Sequence, residues 1–382
     1  MRFQAKVILL TLFINAAITN ALDKPAIAEP IGMIKSPVVG KVELKRTGWK
    51  NYRRVSAGAK FRLGDTLLPA SNATVTVVCP DLTEEIARSG KPSGLKGVCP
   101  NLSDSPGRGN ESPAENILGG KNAKIPYIIS PRHTLVMNRT PIFRWNAISG
   151  AKQYTVQLSS PKGIVWQTKT SKPEVMYPGT PPLQPGLPYS LQVKSNTGAS
   201  SDSDGTLDIG FRLLRDSEIT AIQSNLPKVT KAKLAIPEVA LVLAERYSSY
   251  TLPPSVEAAY NLAEFDAVTY SLTAEGIEIL LPLVIAGTRS PAVYRMLGDL
   301  YWHTGLINPA ITQYLKVIEL ATTQEELENR TEAQSKLGEI YAATNDLLQA
   351  RHWYIQAKNG YTALGDLGGV QFVERQLEAN PR

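Results

Sequence analysis

A five-residue motif occurs twice near the carboxyl end of this chain and constrains its fold more than any other feature. Residues 297–301 read LGDLY, and residues 337–341, forty positions later, read LGEIY. Each copy lies in a helical pattern and is followed at equal offsets by an alanine and then a tyrosine. Self-similarity of this period is typical of stacked helical hairpins, which present a surface for holding another molecule. The sequence therefore predicts a binding function without naming what is bound.

Charge is distributed unevenly along the 382 residues, which are enough for two or three domains. Residues 1–125 carry 18 Lys and Arg against 10 Asp and Glu, residues 126–215 carry 10 against 4, and residues 216–382 carry 13 against 20. The front is therefore basic and the back acidic, although the net charge is only +7. Two interpretations remain open: separate domains with differently solvated surfaces, or a basic front that contacts an anionic component of the cell envelope.

The amino-terminal residues predict an export signal. Arg2 and Lys6 precede an apolar run over residues 7–14, which Thr11 interrupts, and small residues offer cleavage after Ala21 or Ala28. The apolar stretch is shorter than the about 20 residues needed to span a bilayer. We therefore interpret residues 1–28 as a signal peptide, with an uncleaved anchor as the alternative, and expect a periplasmic or extracellular protein.

The two cysteines are informative if the protein is exported. Cys79 and Cys99 are each followed by proline and enclose a loop rich in Gly, Lys and Ser. In an oxidising compartment they are expected to form one disulfide, and closing a loop of about 20 residues stabilises a fold by roughly 3 kcal/mol. Two thiols with no nearby histidine make a poor ligand set for a metal, and two free thiols are the alternative in the cytosol.

Residues 31–100 have the pattern of short β-strands. Residues 38–44 alternate, residues 73–78 are a β-branched run, and glycines punctuate the sequence between them. The motifs VVGKV at 38–42, VSAG at 55–58 and LGDTL at 63–67 resemble the FecR-type β domain of envelope proteins. The resemblance implies a fold and a location. It implies no signalling role. The sensor proteins of that family carry a cytoplasmic part and a membrane span ahead of this domain, whereas here the domain directly follows the predicted export signal.

The same stretch holds a basic patch, in which the aromatic residues Trp49 and Tyr52 are interleaved with the cations. The patch consists of Lys45, Arg46, Lys50, Arg53 and Arg54, and it continues to Lys60 and Arg62. Outside the cytoplasm such a patch can bind an anionic glycan or lipid surface, and nucleic acid is the less favoured polyanion. The alternative is a hairpin whose outward face is rich in Lys and Arg, with the aromatic residues packed beneath it.

Residues 101–124 have the composition of a linker, and residues 125–214 are β-rich again. Four strands are predicted, at residues 143–145, 154–158, 189–193 and 211–214, the first two being neighbours with a turn between them. Trp145 lies in the first of these strands, Tyr154 begins the second and Tyr189 begins the third. With these aromatic positions, the region resembles an immunoglobulin-like sandwich of the fibronectin type III kind. The resemblance implies a spacer or docking module in which Trp145 and Tyr189 are core residues.

Residues 216–382 are predicted to be helical. Ser290-Pro291 and Asn308-Pro309 predict helix starts, and Gly305 predicts a helix end. Residues 323–326 read TQEE and predict a capping box. The apolar residues 277–285, which include a proline, are interpreted as a buried helix.

Residues 291–321 followed by residues 331–357 resemble two tetratricopeptide repeats. The period is 40 residues against a family length of 34, and the segment 322–330 holds the difference. The resemblance implies that Gly298 and Gly338 let paired helices approach closely while leucines and tyrosines fill the seam. A weaker unit at 257–290 and a cap over 361–382 would complete the array, since stacked hairpins need about three units.

In the tetratricopeptide family the ligand groove is lined by the outward face of each first helix. The matching positions here are Arg295, Asp299, Trp302, His303, Glu332, Ser335 and Glu339. The resemblance implies that these residues contact a protein or peptide partner, with Trp302 as an anchor. The alternative is that Trp302 packs on the next hairpin and that Arg295 only pairs with Asp299 one turn away.

No catalytic or metal-binding constellation is recognisable in the sequence. The three histidines fall in different elements, and neither an HExxH motif, a serine-hydrolase elbow nor a phosphate-binding glycine loop occurs. Paired carboxylates for glycan hydrolysis remain open, because nothing selects one pair. We expect a multidomain chain, with a small all-β domain, a β-sandwich and all-α repeats, that acts as an exported non-enzymatic adaptor without cofactor or metal. The alternative is a polyanion-binding or cell-wall-binding envelope protein that acts through the basic patch.

Overall fold

The computed structural model of this chain describes residues 27–28, 30–102, 105–106, 113, 117–206, 210–224, 229–250 and 271–379. Nearly all of the predicted signal peptide lies outside these residues, as does the first half of the predicted unit at 257–290. Within the described residues, β-sheets occupy the amino-terminal part and helices the carboxyl-terminal part. The predicted mixed multidomain architecture is confirmed at this level.

Residues 30–102, called the β domain below, form two four-stranded sheets around an apolar core. The strands are β2 Gly32–Val39, β3 Val42–Lys45, β4 Arg53–Arg54, β5 Lys60–Phe61, β6 Thr66–Pro69, β7 Thr74–Val78, β8 Glu84–Ile86 and β9 Ser93–Gly94, while β1 Ile27–Ala28 pairs separately with β10 Ser105–Pro106. One sheet has the order β5-β2-β7-β8 and the other the order β4-β3-β6-β9. Alternation along the strands turns Ile34, Phe61 and Val75 inward, where they are fully buried.

The prediction of one strand over residues 38–44 is wrong, because the chain turns within it. Gly40 has a φ of +82°, which residues with a side chain rarely adopt, and it separates β2 from β3. A Cβ at this position would lie 2.9 Å from the Cα of Ala73, so the turn also packs closely against the start of β7. The run over residues 73–78 does form β7 as predicted.

The predicted disulfide between Cys79 and Cys99 is confirmed. It joins the residue after β7 to the residue after the short helix α1 Leu95–Val98. Both cysteines are buried in the core of the β domain. The bond therefore fixes the loop over residues 80–98 to the sheets.

Residues 125–214, called the sandwich region below, form two facing sheets. The strands are β11 Ile128–Ser130, β12 Thr134–Val136, β13 Ile142–Trp145, β14 Tyr154–Ser160, β15 Gly163–Thr170, β16 Glu174–Met176, β17 Pro188–Ser195 and β18 Phe211–Leu213. One sheet has the order β11-β13-β16 and the other the order β12-β18-β17-β14-β15. Only β12 and β18 pair in parallel among these. β13 and β14, which the sequence predicts to be neighbouring strands, lie in different sheets. Their aromatic side chains meet in the core between the two sheets. The rings of Trp145 and Tyr154 pack there edge to face, 5.4 Å apart.

Helical hairpins stacked side by side make up the carboxyl-terminal region, called the helical array below. The helices are α2 Asp216–Ser224, α3 Lys231–Leu234, α4 Pro237–Ser248, α5 Thr273–Ile285, α6 Pro291–His303, α7 Ile307–Leu320, α8 Leu327–Ala343, α9 Leu347–Leu364 and α10 Leu367–Ala379. Of these, α4 packs on α5, α6 on α7, α8 on α9, and α10 on α9. In the described part of the chain, no helix combines the length and the apolar character needed to cross a membrane. Residues 277–285 belong to α5, and the prediction of a buried helix holds for one face only, since Ile277, Leu280 and Leu283 are buried whereas Pro282 and Ile285 are exposed.

The repeated motif forms the seam of two hairpins. A Cβ on Gly298 would lie 2.9 Å from the ring of Tyr314, and a Cβ on Gly338 would lie 2.5 Å from the ring of Tyr354. Both tyrosines are buried. The two glycines therefore allow the close approach of paired helices that the sequence predicts.

Gly338→Ala is expected to lower the free energy of unfolding by up to about 2 kcal/mol. The added methyl group has to displace the buried ring of Tyr354, and overpacking of this kind costs about 1–3 kcal/mol. Alanine returns up to about 1 kcal/mol through its greater helix propensity. Urea unfolding measures the change, with Gly97→Ala as control, because a Cβ there meets no atom within 4 Å. An effect no larger than the control's would contradict a tight seam.

Helix boundaries follow the predicted signals where no other region intervenes. α6 begins at Pro291, and Gly305, with a φ of +75°, follows its end, both as predicted. The start predicted at Asn308 is wrong, since α7 begins at Ile307 and the Asn308 side chain donates to the carbonyl of Lys121 at 2.7 Å. The capping box predicted over residues 323–326 is also wrong, since α8 begins after it, at Leu327. Glutamates of that segment contact the β domain instead.

Candidate functional site at the interface of the β domain and the helical array

The predicted groove residues lie on two adjacent helices of the array. α6 carries Arg295, Asp299, Trp302 and His303, and α8 carries Glu332, Ser335 and Glu339. Arg295, Trp302 and Ser335 are buried, and the other four are half-buried. The β domain packs on the face formed by α4, α6 and α8, called the inner face below, and it contacts the groove residue Glu332 through Arg62.

Arg46 lies at the centre of the contact between the β domain and the inner face. Its Nε and Nη2 atoms donate to the two carboxylate oxygens of Glu328 on α8, at 2.5 and 2.7 Å, and Nη1 donates to Asp65 at 2.5 Å. The guanidinium group also lies over the ring of Trp49, 5.4 Å from its centroid. Burial alone would lower the pKa of Arg46, but Glu328 and Asp65 raise it above its usual value. The arginine is therefore a charged group held by two carboxylates between two regions.

A second buried guanidinium group, that of Arg295, belongs to the helical array itself. Its Nη1 atom is 2.7 Å from Glu332 on α8 and 3.4 Å from Asp299 one turn along α6. Its Nε atom donates to the Oδ1 atom of Asn329 at 2.9 Å. Asp299 also accepts a hydrogen bond from the hydroxyl group of Tyr314 at 2.8 Å. The contact with Asp299 is the one that the alternative interpretation of the groove expects.

Two further cations of the β domain reach carboxylates of the inner face. The Nζ atom of Lys60 is 2.7 Å from the Oε2 atom of Glu245 on α4, and Arg62 is 3.7 Å from Glu332. The side chains of Lys60 and Glu245 are only 5% and 17% exposed. Because burial increases the strength of an ion pair and also the cost of breaking it, this pair holds the two regions in a defined register.

The interface also contains apolar contacts. A Cβ on Gly58 would lie 2.9 Å from the Cβ of Ala292 on α6, so the backbone of the β domain touches the array directly. Met33, Val78 and Leu82 belong to the apolar cluster that is built mainly from the helices. Burial of such side chains away from water adds a contribution that does not depend on charge. The β domain therefore contributes these three side chains to the core of the helical array in addition to forming its own core.

Three of the five residues in the predicted basic patch contact the helical array. Besides Arg46, Arg53 donates to the carbonyl of Leu364 at 3.3 Å, and Arg54 lies 3.3 Å from Glu325 at the rim. The other two residues are Lys45, which is half-buried, and Lys50, which is exposed. These contacts join the predicted patch to residues beside the predicted groove, and Arg62, in the continuation of the patch, contacts the groove residue Glu332. Their roles in binding a partner stay predictions.

Sequence reasoning missed the residues that complete this interface. Glu245, Glu328 and Asn329 on the helices and Asp65 in the β domain are not part of either predicted surface. The signal that could have indicated them is the basic surplus of residues 1–125 beside the acidic surplus of residues 216–382. Charge counts alone do not show that the two parts face each other.

Two carboxylates of the interface, Glu332 and Glu245, predict a contribution to stability that is lost in acid. Burial alone would raise the pKa of Glu332, but Arg295 and Arg62 lower it to about 2. Burial likewise opposes ionisation of Glu245, and Lys60 lowers its pKa below the usual value. A carboxyl group with a depressed folded pKa stabilises the fold above its unfolded pKa, about 4.3, and this contribution is lost as the pH falls toward the folded pKa. We expect the free energy of unfolding to decrease between about pH 4.5 and pH 2.

Urea unfolding at several pH values measures this dependence. Glu332→Gln is expected to be less stable than the parent chain at pH 7 and to show a shallower decrease in acid. Glu374→Gln is the control, because this carboxylate is 45% exposed and pairs with an exposed lysine, Lys358. Equal slopes for the parent chain and Glu332→Gln would contradict the assigned ionic role of Glu332.

A third buried arginine joins the sandwich region to the helical array. The Nε atom of Arg132 donates to the carbonyl of Thr304 at the end of α6, at 2.9 Å, and its Nη2 atom donates to the carbonyl of Ile117 at 3.0 Å. Its Nη1 atom is 3.3 Å from Asp204, and the side chain is fully buried. Residues 117–121, at the end of the predicted linker, are thus packed against both the sandwich region and the helical array.

A cleft of about 220 Å³ opens where the β domain meets the start of α8. Its wall consists of Val38, Gly40, Val42, Arg54, Val55, Ser56, Ala57 and Glu325. The valines and Ala57 supply apolar surface, and the Arg54–Glu325 pair supplies charge at the rim. Within the part of the chain that the structure describes, no three His, Cys, Asp or Glu residues are grouped so that they could hold a metal ion.

Comparison with known proteins gives no relative from which a function could be transferred. No protein-family model matches the chain. No curated protein matches it significantly either. The candidate site therefore rests on its geometry, and the resemblances to FecR-type, fibronectin type III and tetratricopeptide domains stay predictions.

Proposed function

We propose that this protein is an exported, non-enzymatic adaptor that binds a protein or peptide partner through the inner face of its helical array. The observation that carries the proposal is the occupation of this face by basic side chains of the β domain. A face that accepts Arg46 bidentately and Lys60 as a buried ion suits a partner that presents Arg or Lys beside apolar side chains.

The assignment of the three regions to known domain types forms part of this proposal. Facing sheets of three and five strands around buried Trp145 support an immunoglobulin-like sandwich. Glycine–tyrosine seams between paired helices support tetratricopeptide-like hairpins. The Cys79–Cys99 bond supports an oxidising compartment and hence export.

A partner would meet the β domain on its way to the inner face. In this proposal it displaces the β domain, beginning at the rim, where the cleft beside α8 exposes the Arg54–Glu325 pair. Displacement would have to replace buried ion pairs and apolar contacts with equivalent ones, because unpaired buried charges are costly. The proposal therefore expects binding to increase when the rim of the internal contact is weakened.

The second candidate function is binding of an envelope polyanion or cell-wall polymer through the basic patch. The observation that favours it is that Lys50 is exposed and that the side chain of Arg54 is 55% exposed, so part of the patch faces solvent. Binding of this kind should weaken steeply with salt, whereas an apolar contact should not.

Arg54→Glu in the full-length chain separates the two candidates, because they expect changes of opposite sign. The substitution replaces the Arg54–Glu325 attraction by repulsion and leaves buried residues in place. Under the adaptor proposal, capture of partner proteins from an envelope extract should rise. Under the polyanion alternative, binding to vesicles of anionic phospholipid should fall and protein capture should not change.

Arg88→Glu is the matched control, since it makes the same charge change at an exposed position of the β domain. It should leave protein capture unchanged. Capture that is equal for the parent chain, Arg54→Glu and Arg88→Glu would contradict the proposal that the inner face binds the partner.

A further inference from the structure

The disulfide lies beside the turn that anchors the β domain on α4. Directly after Cys79 the chain turns tightly, since the Leu82 amide donates to the Cys79 carbonyl and the Cys79 amide donates to the Thr83 carbonyl, both at 2.8 Å. Leu82 has a φ of +63°, in the left-handed region that a leucine rarely occupies. The surroundings therefore hold this turn in a conformation that its sequence does not favour.

The same turn makes two contacts with the helical array. The Leu82 side chain is 6% exposed and belongs to the apolar cluster built mainly from the helices. The carbonyl of Pro80 accepts a hydrogen bond from Nη1 of Arg246 on α4 at 3.2 Å. Docking on α4 thus depends on where Pro80 and Leu82 are held.

We propose that the Cys79–Cys99 disulfide is a redox control of docking, which holds the turn over residues 79–83 against α4 when it is formed and releases it when it is reduced. Reduction by a dithiol breaks the sulfur–sulfur bond and gives two protein thiols, while the dithiol is oxidised to its own disulfide. Oxidation of the thiols by an external disulfide reverses the step. The chain would therefore reach its fully docked form only after entering an oxidising compartment.

Thermodynamic linkage makes this proposal reciprocal. If the disulfide favours docking, docking must favour the disulfide by the same factor, and such factors are typically about 5- to 150-fold. Both cysteines are about 1% exposed, so a reductant reaches the bond only when the surrounding structure opens. Weakening the contacts of Pro80 and Leu82 with the array should therefore make the buried bond easier to reduce.

Hydrogen exchange of the full-length chain with and without dithiothreitol tests the first half of the proposal. Reduction is expected to increase exchange at least about fivefold in α4 Pro237–Ser248 as well as in the loop over residues 80–98, with little change in α10. An increase confined to the loop would overturn the proposal, because the disulfide would then stabilise only its own domain.

The reciprocal half is tested by titrating the folded protein, with its disulfide intact, with dithiothreitol. This test decides whether the disulfide and docking are coupled even if complete reduction unfolds the whole chain. Leu82→Ala and Arg246→Gln should each lower the dithiothreitol concentration for half-reduction at least about fivefold. Lys91→Ala, an exposed change inside the same loop, is the control and should leave that concentration unchanged. Reduction of Leu82→Ala and Arg246→Gln at the parent concentration would overturn the proposal.

Discussion

Arg46→Met is expected to lower the free energy of unfolding by about 3–5 kcal/mol, the usual effect of removing one partner from a buried ion pair. The substitution leaves Glu328 and Asp65 without the cation that both of them contact at 2.5 Å. Asp65 is buried, and burial already raises its pKa, so loss of Arg46 should favour its protonated form further. Methionine keeps much of the apolar volume beside Trp49 but supplies none of the hydrogen bonds.

Urea unfolding followed by circular dichroism measures this effect, and helix content reports on the array while tryptophan fluorescence includes Trp49 in the β domain. Lys50→Met is the control, because this neighbouring residue of the same patch is exposed, and surface substitutions usually change stability by less than about 0.5 kcal/mol. If Arg46→Met were as mild as Lys50→Met, Arg46 could not be buried between two carboxylates.

Arg132→Met is expected to destabilise the protein by a similar amount, about 3–5 kcal/mol, but at the junction of the sandwich region and the helical array. The substitution leaves the carbonyls of Thr304 and Ile117 and the carboxylate of Asp204 without their common donor. Asp204 is only 4% exposed in its side chain, so water cannot readily replace the guanidinium group.

Arg139→Met is the matched control for this second prediction. Arg139 also pairs with an aspartate, Asp216, but their side chains are 48% and 77% exposed, and exposed pairs contribute about 0–1 kcal/mol. Thermal and urea unfolding of the two variants should therefore differ by several kcal/mol. Equal stabilities would show that the Arg132 junction is open to solvent.

Features that depend on short stretches of sequence were predictable. The glycine–tyrosine offsets indicated the close helix pairs, because a missing side chain and a ring at a fixed spacing fit one another across a hairpin. Residues 73–78 indicated β7 through β-branched character. Cys79 and Cys99 indicated their bond because only two cysteines are present.

Features that depend on contacts between distant parts of the chain were not predictable. Asn308 is a good capping residue, yet α7 begins one residue before it, where the amides of Ile307 and Asn308 donate to the carbonyls of Gly119 and Gly120. Both interpretations of the basic patch, a surface for a polyanion or the outward face of a hairpin, place its cations in solvent, whereas Arg46 contacts Glu328, 282 positions away in the sequence. Such pairings depend on the placement of domains, which local pattern does not determine and which the opposite charge surpluses of the two ends of the chain do not specify residue by residue.

The β domain docks against the helical array through complementary charges. A double-mutant cycle between Arg46→Met and Glu328→Gln tests this most directly, since it isolates the energy that couples the two residues. Direct contact, with two hydrogen bonds at 2.5 and 2.7 Å, predicts a coupling energy of about 1–3 kcal/mol. Effects that add to within about 0.5 kcal/mol would contradict docking, because additivity is the behaviour of residues that do not touch.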